Sequence, residues 1–183
     1  MYSVYDQYKE QFRTGDILQW QSYSAIGKII RWKTNVPEIS KEETPNHSSM
    51  VIRLIEWEGA ERRRYHTEAM ERGVYPNILS ARLKEFKGKV WWLPLKEEWD
   101  PKRTEIGMRL TECWGKGYDY KSLVWQLIGK VSIDARQLFC SETVDYALGF
   151  EGVAHNPVQL ELLGIQRHKL LIQDSAIAQF DIP

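Results

Sequence analysis

"HSSMVIRLIEWEGAERRRYHTEAM", residues 47–70, is the stretch on which the fold turns. Its opening alternates: Ser48, Met50, Ile52 and Leu54 fall on one side of an extended chain, and His47, Ser49, Val51 and Arg53 on the other. The closing "YHTEAM" reads as a returning strand, and the charged run between them as a hairpin turn. In such a hairpin the two strands lie side by side. Glu68, toward the end of the second, comes back alongside His47 at the start of the first.

Toward the N-terminus, "TGDILQW" (14–20) turns at Gly15 and Asp16 and runs into another strand, with Asp16 read as a turn or capping aspartate. Tyr5, Tyr8 and Phe12 recur at helical spacing and predict a short amphipathic helix before it. The polar segment 34–46 carries two prolines and predicts a long loop at the mouth of a site. Toward the C-terminus, Asn77 is placed to cap a helix with the apolar stripe Leu79, Leu83 and Phe86, and Gly88 just past its end. "KVWWLPL" (89–95) predicts a buried strand, set by Pro94 near a sheet edge or at a strand end.

Asp100 as cap and Pro101 at the first helical position open a helix with the core stripe Ile106, Leu110, Cys113 and Trp114. Further helices are expected at about 119–128, from near Cys140 with Val144, Ala147 and Leu148 inward, and at Pro157 behind an Asn156 cap.

Composition bounds what such a chain does. With 183 residues, 43% hydrophobic and 27% charged, it suits one globular domain spanning 1–183. Lysine plus arginine (25) equals aspartate plus glutamate (25), so no global field draws nucleic acid or an anionic membrane. No run approaches ~18 apolar residues, and the start lacks a basic segment followed by an apolar one, so a cytoplasmic location is expected and no integral membrane segment. Oligomeric state is not readable.

The two cysteines, Cys113 and Cys140, form neither a disulfide framework nor a CxxC metal spacing. Cys113 sits on a helical core stripe, where a thiol behaves as a small inert hydrophobe. Cys140 falls where the stripe of "SETVDYALG" begins, at or within a residue of an expected helix N-terminus. Free backbone N–H groups and the macrodipole there favour a thiolate, and the same groups could receive an oxyanion.

Such a thiolate needs a histidine, itself oriented by a third polar group. Among four histidines, His155 and His168 lie in the polar C-terminal region and read as solvated surface residues. His47 with Glu68 fits the roles of base and orienting carboxylate. His66 shares a face with Glu68 and competes for either role.

The order of six short segments adds to this: "TGDILQW", "NHSSMVI" (46–52), "TEAMERGV" (67–74), "GYDYKSLV" (117–124), "FCSETVDYAL" (139–148) and "NPVQL" (156–160). In that order, over roughly residues 14–163, the chain resembles the permuted papain-like amidases of the YiiX/YebB type, relatives of the NlpC cell-wall peptidases and more distantly of lecithin:retinol acyltransferase. The resemblance implies an α+β fold, a small antiparallel sheet or half-barrel with packed helices. It implies Cys140 as nucleophile, His47 as base and then acid, and Glu68 as third member. Tyr118 would line the site or help hold the oxyanion, or else simply pack at a helix start.

The expected activity is hydrolysis of a peptide or N-acyl amide in a small substrate, without cofactor or metal. A thioesterase or lipid acyltransferase on the same triad is an alternative, with Trp91 and Trp92 as a possible apolar groove or, more plainly, buried core. An idle binding module is another. A zinc site of Cys140, His47 and His66 suits the ligand types but lacks a fourth ligand and a spacing signature.

Overall fold

A computed structural model of the chain describes residues 3–24, 39–40, 42–55, 59, 62–70, 73–116, 132–150 and 155–176, with the backbone alone for 132–139. The helix expected over 119–128 lies outside these residues, as do residues 34–38 and 41 of the loop expected over 34–46.

The helix expected from Tyr5, Tyr8 and Phe12 is α1 (Val4–Tyr8), opened by a Ser3–Asp6 capping box and continued by a 3-10 turn. Phe12 then stacks on Trp92, ring centroids 4.4 Å apart. The chain turns at Gly15, whose φ of 95° suits a residue without a Cβ. From there it runs into β1 (Ile17–Ser22).

The hairpin follows as β2 (His47–Ile52) and β3 (Tyr65–Met70), antiparallel with Met50 opposite Thr67. Next come β4 (Gly73–Ile78), α2 (Leu79–Glu85) and β5 (Gly88–Leu93). A 3-10 turn leads into α3 (Arg103–Glu112), and after it α4 (Ser132–Leu148), α5 (Pro157–Leu162) and β6 (Leu170–Asp174) complete the described elements.

The six strands form one open sheet in the order β4-β3-β2-β1-β5-β6, every neighbouring pair antiparallel. The architecture is α+β. Helices cover both faces, which is why successive residues of β1 and β5 are buried rather than alternately buried and exposed. One face presents Ile17, Met50, Ile52, Trp91 and Leu93 to Ile106 and Leu110 of α3, Val144, Ala147 and Leu148 of α4, and Leu160 of α5. The other presents Leu18, Trp20, Val51, Val90 and Trp92 to Tyr5, Phe12, and Leu79 and Leu83 of α2. Trp91 and Trp92 therefore point into opposite cores, both buried, and form no groove together.

Three sequence expectations need correction. Asn77 caps no helix: it lies in β4 opposite His66, and Ile78 precedes α2 without a side-chain cap. β4 itself went unread because it contains Gly73 and Pro76. Both are tolerated because β4 is an edge strand. Asp100 is no cap either, since the 3-10 turn Glu97–Lys102 precedes the helix and its carboxylate instead accepts from Arg103 Nε and Arg13 Nη1, each at 2.8 Å. Pro94 falls at a strand end, one of the two places expected of it: β5, between β1 and β6, closes at Leu93.

Asp16 is more than a turn residue. Its buried carboxylate accepts from Arg13 N (3.0 Å), Trp92 Nε1 (3.0 Å), Leu95 N (3.2 Å) and Arg103 Nη1 (2.9 Å), tying β1, β5 and α3 together.

Candidate active site

His47 is the first residue of β2 and pairs across the strands with Trp20 of β1. The side chains of His47, Ser49 and Val51 share a face with His66 and Glu68 of β3 by the period-2 alternation that the sequence displays. In an antiparallel pair, Glu68 lies diagonally across from His47, within reach of a long side chain. Its Oε2 stands 3.2 Å from His47 Nε2. The Cys140 side chain is hydrogen-bonded to the same imidazole. The thiol, the imidazole and the carboxylate thus form one chain, with Nε2 turned to Glu68 and Nδ1 the nitrogen left for sulfur.

Burial alone would push the His47 pKa down. The Cys140 sulfur beside it, through its charge and hydrogen bond, and then Glu68 reverse this and raise it to about 10. Glu68 is 2% exposed and burial disfavours its charge, yet the His47 hydrogen bond and the positive charges of His47, His66 and Arg82 bring its pKa down to about 2. The pair is therefore an imidazolium held against a carboxylate.

His66 is fully buried, and burial lowers its pKa to about 4, so it is neutral at physiological pH. Its Nδ1 lies 3.0 Å from Ser49 Oγ, whose hydroxyl accepts from Trp20 Nε1 at 2.8 Å and donates to Nδ1 in the tautomer that carries the His66 proton on Nε2. Its Nε2 has no hydrogen-bond partner and sits 3.8 Å from Glu68 Oε1. Of the two candidates for third member, Glu68 is the one bonded to His47.

Sequence reasoning missed two residues here. Asn77 Nδ2 and Arg82 Nε both donate to Glu68 Oε1, at 3.0 and 2.9 Å. Reading "VYPNI" as an edge strand would have placed Asn77 opposite His66. Nothing in the sequence pattern marks Arg82.

The helix that carries Cys140 also differs from expectation. α4 begins at Ser132, so Cys140 lies more than two turns inside it rather than at its N-terminus. Only the first four N–H groups of a helix are free, and the backbone donors around Cys140 are spent on the helix itself. The helix-end oxyanion site and macrodipole expected from the sequence are therefore absent at Cys140, and the charge beside the thiol comes from His47. Tyr118 lies outside the described residues.

Cys113, at the end of α3, is buried, and burial raises its pKa as expected of an inert thiol. His155 is not a solvated residue. Its backbone N and Nδ1 both meet the buried Asp145 carboxylate, at 2.8 and 2.7 Å, whereas His168 is exposed as expected, its ring 5.7 Å from that of Trp92. A cavity of about 430 Å³ lined by Arg13, Arg53, Arg103 and Met108 adjoins Ile52, at the opposite end of β2 from His47.

No group of three or more His, Cys, Asp or Glu among the described residues is arranged to hold a metal ion. No helix among them is long and apolar enough to cross a membrane.

No protein-family model matches the chain. No curated protein matches it either. Among solved structures it is similar to the metalloprotein YiiX from Escherichia coli O157:H7, of the family DUF1105, at 23% identity over 94% of each chain with a TM-score of 0.52. At that identity the likeness is one of architecture: the chain has the YiiX fold.

Proposed function

We propose that the chain is a cysteine hydrolase of amide bonds, peptide or N-acyl, on a permuted papain-like scaffold. The observation that carries this reading is the His47 side chain set between the Cys140 thiol and the Glu68 carboxylate. Three groups from two adjacent strands and a helix meet in the order that nucleophilic acyl transfer requires.

In the first half-reaction the Cys140 thiolate attacks the substrate carbonyl carbon and a carbon–sulfur bond forms. The carbon–nitrogen bond then breaks as imidazolium His47 gives a proton to the departing amine. In the second, neutral His47 takes a proton from water, whose oxygen attacks the thioester. The carbon–sulfur bond breaks, the carboxylic product leaves and Cys140 returns as the thiolate beside the His47 imidazolium. Glu68 stabilises the imidazolium and fixes the ring throughout. Because Cys140 lies inside α4, donors for the oxyanion come from elsewhere than the free N–H groups of that helix.

The neighbour's description as a metalloprotein raises a metal-dependent alternative. The donors among the described residues do not fit one: no three His, Cys, Asp or Glu are arranged to hold a metal ion, and His66 Nε2, the ring nitrogen left without a partner, lies 3.8 Å from Glu68 Oε1. No step is routed through a metal.

The test is iodoacetamide labelling of the folded chain at neutral pH, followed by a panel of acyl amides, peptides and acyl esters. Cys140, though 1% exposed, is expected to label faster than the same cysteine in the unfolded chain, Cys113 to label more slowly because burial raises its pKa, and Cys140→Ala to abolish amide hydrolysis. Labelling no faster than in the unfolded chain, with activity intact in Cys140→Ala, rejects the reading. Hydrolysis of esters alone moves it to the thioesterase class.

A further inference from the structure

We infer that Arg82, seconded by Asn77, is a positioning residue that divides the two oxygens of Glu68, locking Oε1 so that Oε2 is reserved for His47; its consequence for catalysis rests on the hydrolase reading above.

A buried carboxylate has two equivalent oxygens and can turn either toward any nearby donor. Around Glu68 the donors are sorted: Arg82 Nε (2.9 Å) and Asn77 Nδ2 (3.0 Å) take Oε1, and His47 Nε2 (3.2 Å) takes Oε2. A rival stands close by. His66 Nε2 is fully buried, has no hydrogen-bond partner and lies 3.8 Å from Oε1. A modest rotation of an unrestrained Glu68 would satisfy that orphan nitrogen, a gain that burial makes substantial. The same rotation would pull Oε2 off His47 and free the imidazole to turn away from Cys140.

Arg82 is itself held. Its guanidinium carbon lies 5.6 Å from the Trp20 ring centroid and 5.5 Å from that of Phe86, within cation–π range of both. The two rings meet edge-to-face at 5.0 Å, and Trp20 is anchored by Ser49 Oγ at 2.8 Å. Trp20 is also the cross-strand neighbour of His47. The base and the platform of the positioning cation thus share one rigid pair of strands. A planar, stacked donor suits this place, and the point charge of lysine does not replace it.

The experiment follows the His47 ring protons by NMR in the full chain labelled at histidine, at neutral pH, in wild type, Arg82→Met, Arg82→Lys and Asn77→Ala, with circular dichroism to show that each is folded. Exchange of the His47 Nε2 proton should be about tenfold faster in Arg82→Met, the scale of one hydrogen bond to a charged group, and recover only in part in Arg82→Lys. Iodoacetamide labelling of Cys140 in the same samples should slow about fivefold in Arg82→Met, in proportion to the lost orientation.

Equal His47 exchange in folded Arg82→Met and wild type overturns the inference. If Arg82→Met does not fold, equal exchange in Arg82→Lys and Asn77→Ala does so. Wild-type Cys140 labelling no faster than in the unfolded chain instead removes the hydrolase reading, while the exchange comparison still decides the positioning role.

Discussion

Replacing Glu68 with glutamine keeps the shape of the side chain and removes its charge. A carboxylate accepts at both oxygens, whereas an amide must turn one donor toward a neighbour. With its oxygen toward Asn77 and Arg82, the new NH2 faces His47 Nε2. With its oxygen toward His47, it faces two donors. Either way a buried donor meets a donor.

The size of the effect follows from the drop in the Glu68 pKa from 4.5 to about 2. At 1.36 kcal/mol per unit this amounts to about 3 kcal/mol, undiminished by solvent because the side chain is nearly fully buried. The sign is that of a depressed carboxylate: the stabilisation is present above pH 4.5 and is lost as pH falls toward 2. His66, a base depressed from 6.5 to about 4, contributes above pH 6.5 and loses its share as pH falls toward 4.

Urea unfolding followed by tryptophan fluorescence at pH 7 should therefore place Glu68→Gln roughly 1 M below wild type, for a slope of about 2–3 kcal/mol/M. Repeating it down the pH scale should show the variant keeping the His66 limb between pH 6.5 and 4 and lacking the further loss below 4.5. A midpoint equal to wild type at pH 7, or an acid limb as steep as wild type below pH 4.5, refutes the assigned electrostatics.

On the alkaline side His47, raised from 6.5 to about 10, contributes fully below pH 6.5 and loses its contribution as pH climbs to 10. Because Cys140 is the main source of that rise, Cys140→Ala should flatten the stability curve of wild type between pH 6.5 and 10 in the same assay. Gly88→Ala would place a methyl 2.0 Å from the backbone oxygen of Gln21, at the end of the β1–β5 pairing. A melting temperature lower by about 6–12 °C is expected, from a cost of about 3 kcal/mol. Arg103→Met strips Asp16 of its buried counter-charge and should cost about 3–5 kcal/mol by calorimetry. Adding Asp16→Asn should restore part of it, and no restoration would mean that the loss is one of packing.

Much of the architecture was open to a reader of the sequence, and the parts that were share a cause. The β2–β3 hairpin, the turn at Gly15, the α3 core stripe and the Asn156 cap of α5 are all written in residues within a few positions of one another. The same local logic brought His47 and Glu68 together, because period-2 alternation and one hairpin suffice to make them neighbours. Cys113 was separable from Cys140 for a similar reason, lying on a regular stripe.

What local pattern could not supply fell to the tertiary structure. The start of α4 was invisible because the apolar residues of 132–140, Ile133, Ala135, Leu138, Phe139 and Cys140, run round the helix instead of along one stripe, so no 3.6-residue signal exists. The edge strand β4 carries Gly73 and Pro76, which read as breakers, and pairing to β3 makes it a strand.

The surroundings of Glu68 are likewise non-local. A strand residue, a helix residue and two histidines meet on one carboxylate, and no spacing rule relates residues 47, 66, 77 and 82. The sequence by itself determined which chemical groups are present and that two of them meet. Only the tertiary structure decided which oxygen faces which donor, because that choice depends on burial and on distances between segments that touch nowhere along the chain.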